Sequence, residues 1–95
     1  MSDIVHEENN NRFIGTLESG DEYYIQYNKQ KNIIDCFHTF VPPSGRGQGL
    51  AGKLVIFAFE YCINNNYKLK PSCSYISDNF LRKEKYLKYL PYVAQ

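Results

Sequence analysis

The chain has 95 residues, enough for one domain around a small core. Hydrophobic residues make up 43% of the chain and charged residues 22%, proportions that exclude a disordered chain, a collagen and a coiled coil. The net charge is +1, but acidic and basic side chains are unevenly distributed along the chain.

This charge distribution limits the partners that we expect. Residues 1–35 contain seven acidic and three basic side chains, whereas residues 36–95 contain three acidic and eight basic ones. A nearly neutral chain with a basic C-terminal part suits a small polyanionic ligand, while duplex nucleic acid would need a larger basic excess. No apolar run approaches the roughly 20 residues that cross a bilayer. We therefore expect neither nucleic acid nor a membrane as a partner.

The cysteines and the N-terminal residues indicate the compartment. Three cysteines are an odd number, which argues against a disulfide framework. Residues 1–11 are acidic and polar, unlike a secretory signal, which has a basic start and an apolar stretch. We expect a reduced, intracellular protein, cytoplasmic with the nucleus as a second compartment.

In chain order, residues 1–11 are predicted to be disordered and residues 12–95 to form a single domain. Strand-like runs follow at residues 12–17, 22–27 and 33–41, rich in aromatic and β-branched side chains. The connections between them are too short for parallel crossovers, so the three runs predict an antiparallel meander.

The third run is apolar on both of its alternating faces, a pattern typical of a central strand that is covered on both sides. One face carries Ile33, Phe37 and Val41, and the other carries Ile34, Cys36 and Phe40.

A glycine-rich turn and a helix follow the third strand. Pro42 and Pro43 end the strand because neither can donate to its ladder. Residues 44–49 then lead into a helix that ends at residues 64–66, a run of asparagines. The apolar positions of this helix share one face: they are Leu50, Leu54, Phe57, Ala58, Tyr61 and Cys62.

Residues 67–75 predict a fourth strand, parallel to the third and joined to it by a right-handed crossover through the helix. Residues 77–79, Ser-Asp-Asn, can cap a short helix that begins near Phe80, and residues 82–90 predict a further helical turn or two. The predicted fold class is therefore α+β: a meander, a helix, a parallel strand and a short C-terminal helix.

The glycine-rich turn is a candidate phosphate site. A strand, a glycine turn and a helix start gather unpaired backbone N–H groups at the positive end of the helix dipole. The alternative is a tight turn that binds nothing. The string G-x-G-x-x-G formed by Gly47, Gly49 and Gly52 does not indicate a dinucleotide fold, because antiparallel strands precede it and residues 67–77 contain no acid. A P-loop is excluded because Leu54 stands where a magnesium-binding Ser or Thr is required.

Three motifs resemble another family of phosphate-binding proteins. Residues 46–51, Arg-Gly-Gln-Gly-Leu-Ala, match the pattern Q/R-x-x-G-x-G/A. They follow His-Thr-x-Val-Pro at residues 38–42 and precede Pro-Ser-Cys-Ser-Tyr at residues 71–75. Over residues 12–90 the chain resembles the GNAT superfamily of N-acetyltransferases, in particular a small subfamily of minimal single-domain members.

The resemblance implies a GNAT-like fold in which acetyl-CoA lies in a V-shaped opening between the third strand and the strand after the helix. Backbone groups of the third strand would pair with the pantetheine arm as an added strand does. The implied contacts are Thr39, Phe40 and Val41 for pantetheine, the backbone N–H groups of Gly47, Gln48, Gly49, Leu50 and Ala51 for the pyrophosphate, Arg46 and Asn79 for the cofactor, and Arg82, Lys83 and Lys85 for the 3′-phosphate.

Few residues are candidates for the chemistry. The resemblance implies Cys73 as an acyl-accepting nucleophile, although free cysteine is usually a small buried hydrophobe. His38 is a candidate base or partner of Cys73, with a satisfied core histidine as the alternative. Tyr75 and Tyr86 could donate a proton to the departing thiolate. The cysteine and histidine spacing matches no zinc site, so we expect no metal.

The leading hypothesis is an acetyl-CoA-dependent N-acetyltransferase. The larger GNAT enzymes carry N-terminal helices that wall the acceptor site, and this chain has none before its strands. An open acceptor site favours a protein or peptide amine over a small metabolite, which needs enclosure. Two alternatives stay open: a non-catalytic CoA-binding module that serves as a sensor or partner subunit, and an interaction domain whose glycine turn binds nothing.

Overall fold

A computed structural model of the protein describes residues 4–94. Its five strands form one sheet in chain order. They are β1 (Ile4–Glu7), β2 (Arg12–Thr16), β3 (Glu22–Gln30), β4 (Ile33–Phe40) and β5 (Lys68–Pro71). Strands β1 to β4 pair antiparallel, and β4 pairs parallel with β5 through the helix α1 (Leu50–Asn64). The predicted α+β fold, a meander followed by a parallel pair and a helix, is confirmed.

The N-terminal residues correct the prediction of disorder over residues 1–11. Strand β1 pairs with β2 from Ile4 opposite Gly15 to Glu7 opposite Arg12. Ile4 is buried in the core, and the Glu7 carboxylate forms an ion pair of 2.6 Å with Arg12. The alternation of Ile4 and His6 with Val5 and Glu7 indicates a strand, but the polar residues around it mask the signal. Residues 1–3 lie outside the described residues.

The core lies between one face of the sheet and α1. The sheet contributes Phe13, Ile25, Ile34 and Leu69, which are fully buried. Helix α1 buries Leu50, Leu54, Val55, Ala58, Phe59 and Cys62, whereas Phe57 and Tyr61 are only half-buried. The amphipathic pattern thus fixes the face of α1 that meets the sheet, and each fully buried Leu, Ile, Val or Phe side chain contributes about 1.5–3 kcal/mol. Within residues 4–94 no helix is long and apolar enough to cross a membrane.

The sheet face opposite α1, which we term the outer face, is only partly covered. Phe37 is 44% exposed and Phe40 is 38% exposed, so the prediction that β4 is covered on both faces is wrong. Tyr27 lies opposite Cys36 but Gln26 lies opposite His38, which makes Phe37 the extra residue of a β-bulge. The bulge reverses the alternation and moves Phe40 from the face of Ile34 and Cys36 to the outer face, where its ring lies 5.6 Å from that of Tyr24.

The C-terminal part departs from its predicted boundaries. Strand β5 ends at Pro71, earlier than predicted, and the Ser72 N–H turns back to the Lys70 carbonyl oxygen at 3.0 Å. A π-helical turn follows at Tyr75–Asn79, then 3₁₀ turns at Phe80–Arg82 and Glu84–Tyr92. The short helical segment near Phe80 is confirmed. The prediction that side chains of residues 77–79 cap this segment is wrong, because its N-cap residue, Asn79, makes no capping hydrogen bond.

Gly15 is required for the packing of β2 against β3. A Cβ at Gly15 would lie only 2.3 Å from the ring of Tyr23, which is buried and cannot move aside freely. We expect Gly15→Ala to lower the free energy of unfolding by about 1–3 kcal/mol. As a control, a Cβ at Gly52 in α1 would meet its nearest neighbour at 3.7 Å, so Gly52→Ala should stabilise the protein by about 0.5–1 kcal/mol. Urea unfolding of both variants measures the two free energies of unfolding. Equal changes in the two variants would contradict the prediction.

His6 makes the stability dependent on pH. Its ring lies 4.4 Å from that of Tyr61, and its Nε2 hydrogen-bonds with the Tyr27 hydroxyl. Burial raises the pKa of Tyr27 to about 12, so the hydroxyl stays protonated and can donate to the neutral imidazole. Burial is also the main cause that lowers the pKa of His6 below its ordinary value.

Because the unfolded state then binds more protons, the contribution of His6 to stability is present above about pH 6.5 and is lost as the pH falls through its lower folded pKa. We expect the unfolding free energy of the wild type to decrease more steeply from pH 7 to pH 5.5 than that of His6→Gln. Urea titrations across this range measure the difference. An equal pH dependence of the unfolding free energy in the two proteins would show that the pKa of His6 is the same in the folded and unfolded states.

Candidate functional site

The pairing between β4 and β5 stops before β4 ends. The last paired residues are Cys36 and Pro71, after which the Cys73 N–H donates to the Cys36 carbonyl oxygen at 2.9 Å. Beyond this point β4 continues to pair with β3 as far as Phe40 opposite Tyr24. Among the described residues, the β5-facing edge of residues 37–40 has no ladder partner. An extended ligand could therefore hydrogen-bond along this free edge.

The glycine turn, residues 46–49, lies between this free edge and α1. Gly47 has φ +81° and Gly49 has φ +70°, left-handed values that favour glycine, and a Cβ at either residue would meet only open space. Gly49 caps α1, and its carbonyl oxygen accepts from the Lys53 N–H at 3.2 Å. The N–H groups of the first helical turn have no partner within the helix and suit an anion.

Side chains of the turn hold its shape. The Gln48 amide donates to the Ser44 carbonyl oxygen at 3.2 Å, and the Ser44 hydroxyl donates to the Asp21 carboxylate at 2.7 Å. The Arg46 guanidinium donates to the Val41 carbonyl oxygen at 3.4 Å. The side chains of Arg46 and Gln48 thus bind the backbone around the turn, while Gly47 and Gly49 present their backbone to open space.

Two tyrosine hydroxyls stand beside the first turn of α1. A Cβ at Gly52 would lie 3.7 Å from the Tyr75 hydroxyl and 3.9 Å from the Tyr86 hydroxyl. The Tyr86 ring is stacked on Phe80 with centroids 4.0 Å apart, which fixes its direction. Burial, and then the neighbouring Tyr86 and Cys73, raise the pKa of Tyr75, so its hydroxyl stays protonated at neutral pH.

Thr39 supplies an unsatisfied polar atom in the free segment of β4. It lies opposite Ile25, on the sheet face that meets α1. Its Oγ1 is buried and has no hydrogen-bond partner among the described residues. A buried hydroxyl without a partner is uncommon in folded proteins and calls for a missing ligand or water. This atom, the free strand edge and the glycine turn together fit a ligand with amide groups at one end and phosphates at the other.

The comparisons with known proteins decide the family. The family model described as GCN5-related N-acetyl-transferase matches residues 12–90. The chain belongs to this family. Its fold is similar to the solution NMR structure of a GCN5-like candidate N-acetyltransferase from Staphylococcus aureus, with a TM-score of 0.64 and 29% sequence identity. That match covers 99% of this chain and 91% of the other. Membership places the chain among the acyltransferases and confirms the resemblance, and proteins of this family use acetyl-CoA.

The two catalytic candidates of this GNAT protein lie apart. His38 is exposed on the outer face, where its ring is 6.0 Å from that of Tyr24. Cys73 is half-buried and packs against the hydrophobic core between the sheet and α1. The predicted position of Cys73 late in a strand is wrong, because Pro71 ends β5. The Cys73 carbonyl oxygen instead accepts a hydrogen bond from the Ile76 N–H at 3.0 Å, just before the π-helical turn.

The remaining predicted cofactor residues are on or near the surface. Asn79, Arg82 and Lys83 are exposed, and none makes a side-chain hydrogen bond or ion pair within residues 4–94. Val41 is half-buried against the core. Phe40 points to the outer face, so only its backbone can meet a ligand on the α1 side of the sheet.

A cavity of about 860 Å³ borders the glycine turn on the side of β1 and β2. Ser44, Gln48 and Leu50 form one of its walls, and Glu18, Lys53 and Glu60 contribute its charged groups. Two carboxylates against one ammonium group make this cavity a poor place for phosphates. The backbone of the turn, rather than this cavity, is the better phosphate site.

Sequence reasoning missed two features of the site. The bulge at Phe37 depends on pairing with β3 and leaves no local signal in the sequence. Asp35, whose Oδ1 is buried without a partner, lies within an apolar strand pattern. A charged residue in an apolar strand is the signal that could have drawn attention to it.

The cysteines should differ in reactivity because the thiolate is the reactive form. Burial raises the pKa of Cys62 to about 12 and that of Cys36 well above its ordinary value, and both thiols are fully buried. Cys73 is only half-buried. At pH 8 we expect Cys73 to react with an aromatic disulfide reagent at least about 100-fold faster than the other two. Cys73→Ser should abolish the fast phase. A fast phase that survives in this variant would show that the fast-reacting thiol is not Cys73.

Proposed function

We propose that this protein is an active N-acetyltransferase that binds acetyl-CoA and passes its acetyl group to an amine. The observation that carries the proposal is the free edge of β4 beside the glycine turn, within the part of the chain that the family model matches. An extended amide-containing arm and a diphosphate match these two features at the same time.

In this proposal the chain holds acetyl-CoA mainly through its backbone. Thr39, Phe40 and Val41 pair with the pantetheine arm, and the Thr39 hydroxyl gains a partner. The N–H groups of residues 47–51 bind the pyrophosphate, with Arg46 and Gln48 holding the turn in shape. The exposed Asn79, Arg82, Lys83 and Lys85 contact CoA, the three basic residues at its 3′-phosphate. Each such exposed charge pair contributes about 1 kcal/mol or less.

Acetyl-CoA supplies an activated acetyl thioester, and the side chains handle protons and position the acceptor. His38 is exposed on the outer face and can accept a proton from an approaching amine. Tyr75 and Tyr86 can donate a proton on the α1 side. Because Cys73 packs on the α1 side, apart from His38, we assign it as an acyl acceptor beside Tyr75. A bond from its sulfur to the acetyl carbon forms as the bond to the CoA sulfur breaks, and the Cys73 proton passes to the departing CoA sulfur through the Tyr75 hydroxyl. The amine then displaces the Cys73 sulfur, which regains a proton. Direct transfer to the amine is the competing route.

The partly uncovered outer face supports an amine on a protein or peptide as the acceptor. Phe37 and Phe40 remain exposed there, which leaves room for a protruding side chain and gives little enclosure for a small metabolite. The three cysteines are unpaired, which supports a reducing compartment such as the cytoplasm.

One observation favours a second function. His38 and Cys73 lie on different faces and do not form a nucleophile–base pair. A protein that binds acetyl-CoA without transferring the acetyl group, as a sensor or partner subunit, would keep the binding features and need no such pair. Turnover of acetyl-CoA with an amine acceptor distinguishes the two functions.

Gly49→Asp tests the proposal because it places a carboxylate beside the expected pyrophosphate. We expect acetyl-CoA to bind at least about tenfold more weakly, a change of about 1.4 kcal/mol, by calorimetric titration. Asn66, just after α1, also has a positive φ, +60°, and is exposed, so Asn66→Asp introduces the same charge at the opposite end of the helix from the turn. Asn66→Asp should bind as the wild type does. Normal binding by Gly49→Asp, or no binding by the wild type, would overturn the proposal.

A further inference from the structure

The cavity on the β1 and β2 side of α1 has no part in the proposed function. The other flank of the helix is covered by the C-terminal turns, where the Tyr89 ring is stacked on Phe59 with centroids 4.8 Å apart. A single helix about 10 Å wide does not cover a sheet whose strands are about 4.8 Å apart, once the sheet has several strands. The resulting cavity of about 860 Å³ has the volume of a small-molecule site.

The floor of the cavity is apolar and comes from both layers of the fold. Leu17 and Tyr23 contribute from the sheet side, and Ile56 and Phe57 contribute from α1. The Phe57 ring meets the fully buried Phe13 edge-on, with centroids 5.8 Å apart, which fixes it as part of the wall. The helical pattern places Phe57 on the apolar face, yet Phe57 and Ile56 are only half-buried where they border the cavity. An apolar ligand would complete their burial.

The charged groups of the cavity favour a cation. Lys53 and Glu60 are seven residues apart on α1, so their backbones are separated by about 10 Å along the helix. Glu18 lies in the turn after β2. Within residues 4–94 the one ion pair joins Glu7 and Arg12, so Lys53 pairs with neither cavity carboxylate. Two carboxylates and one ammonium group give the cavity a net charge of −1.

Glu60 is the carboxylate that the fold holds in place. The hydroxyl of the buried Tyr89 donates to its Oε2 at 3.3 Å. Burial, and then the charge of Glu60, raise the pKa of Tyr89, so this hydroxyl stays protonated and keeps donating. The second oxygen of Glu60 retains lone pairs for a ligand ammonium group. Phe57 precedes Glu60 by three residues and shares its side of the helix, so a cation at Glu60 also lies near an aromatic ring.

We propose that this cavity is a second ligand site, separate from the proposed CoA site, and that its ligand is a small apolar molecule with one ammonium group. The apolar part packs on Ile56 and Phe57, and the ammonium group binds Glu60. None of the side chains assigned to acetyl or proton transfer lines the cavity, so the ligand has a site of its own rather than the acceptor position. The inference goes beyond the proposed function and does not depend on it.

The test is an NMR titration of the protein, without CoA, with three probes that share one apolar body. They are 4-phenylbutylamine, 4-phenylbutan-1-ol and 4-phenylbutanoate, which at neutral pH carry an ammonium group, no charge and a carboxylate. We expect the amine to bind at least about threefold more tightly than the alcohol, and the carboxylate most weakly. Backbone amide shifts should change at residues 17–19 and 53–60.

Two substitutions on α1 change the charge of the cavity in opposite directions. Glu60→Gln keeps an acceptor for the Tyr89 hydroxyl and should lower the affinity for the amine by about twofold to fivefold, with no change for the alcohol. Lys53→Gln removes the group that repels the amine and should raise its affinity. Glu84→Gln, at an exposed glutamate outside the cavity, should bind all three probes as the wild type does.

Several results would overturn the inference. They are equal affinity of the wild type for the three probes, an unchanged preference for the amine in Glu60→Gln, or shift changes confined to residues 37–40 on the outer face. Acetylation of the amine probe by acetyl-CoA that falls together with its affinity in Glu60→Gln would make the cavity the acceptor site and would also overturn it. Because the titrations contain no CoA, failure of the proposed function leaves their outcome unchanged.

Discussion

The backbone pairing of β4 with β5, and the point at which it stops, determines the rest of this structure. Pro71 has no N–H to donate, and the chain turns away after it through the hydrogen bond from Ser72 to Lys70. The bulge at Phe37 occurs at the same level of the sheet and changes the register of β4 against β3. Together these features leave one edge of residues 37–40 unpaired beside the glycine turn. A continuous β5 would satisfy this edge and leave no place for a ligand.

The free edge separates two surfaces with different chemistry. On the side of α1 lie the Thr39 hydroxyl, the first helical turn and the hydroxyls of Tyr75 and Tyr86. On the outer face lie Asp35, Phe37, His38 and Phe40, and the rings of His38 and Phe40 lie beside that of Tyr24. In the proposed function the first surface holds acetyl-CoA and the second receives the amine. The bulge brings Phe37 and His38 to the same face at the level where the pairing with β5 ends.

Much of this arrangement could be predicted from the sequence, since local rules govern it. Prolines 42, 43 and 71, the glycines at 47 and 49, and the apolar face of α1 have the same meaning in any context. The disorder predicted for β1 failed because Ile4 and His6 gain their stability from contacts with β2 and α1 that are distant in sequence. The bulge and the unpartnered oxygen of Asp35 depend on register between strands, which a single sequence does not specify. The prediction that His38 is a partner of Cys73 was wrong for the same reason, because the register of β4 decides which face His38 occupies.

The central claim is that the free edge of β4 and the glycine turn form one binding site for CoA. The most direct measurement is an NMR titration of the wild type with CoA that follows backbone amide shifts along the whole chain. We expect saturable changes with one dissociation constant in two stretches separated in sequence, residues 39–41 and residues 47–51. Changes confined to the cavity residues Leu17, Glu18 and Lys53, or changes at residues 47–51 alone, would contradict the account.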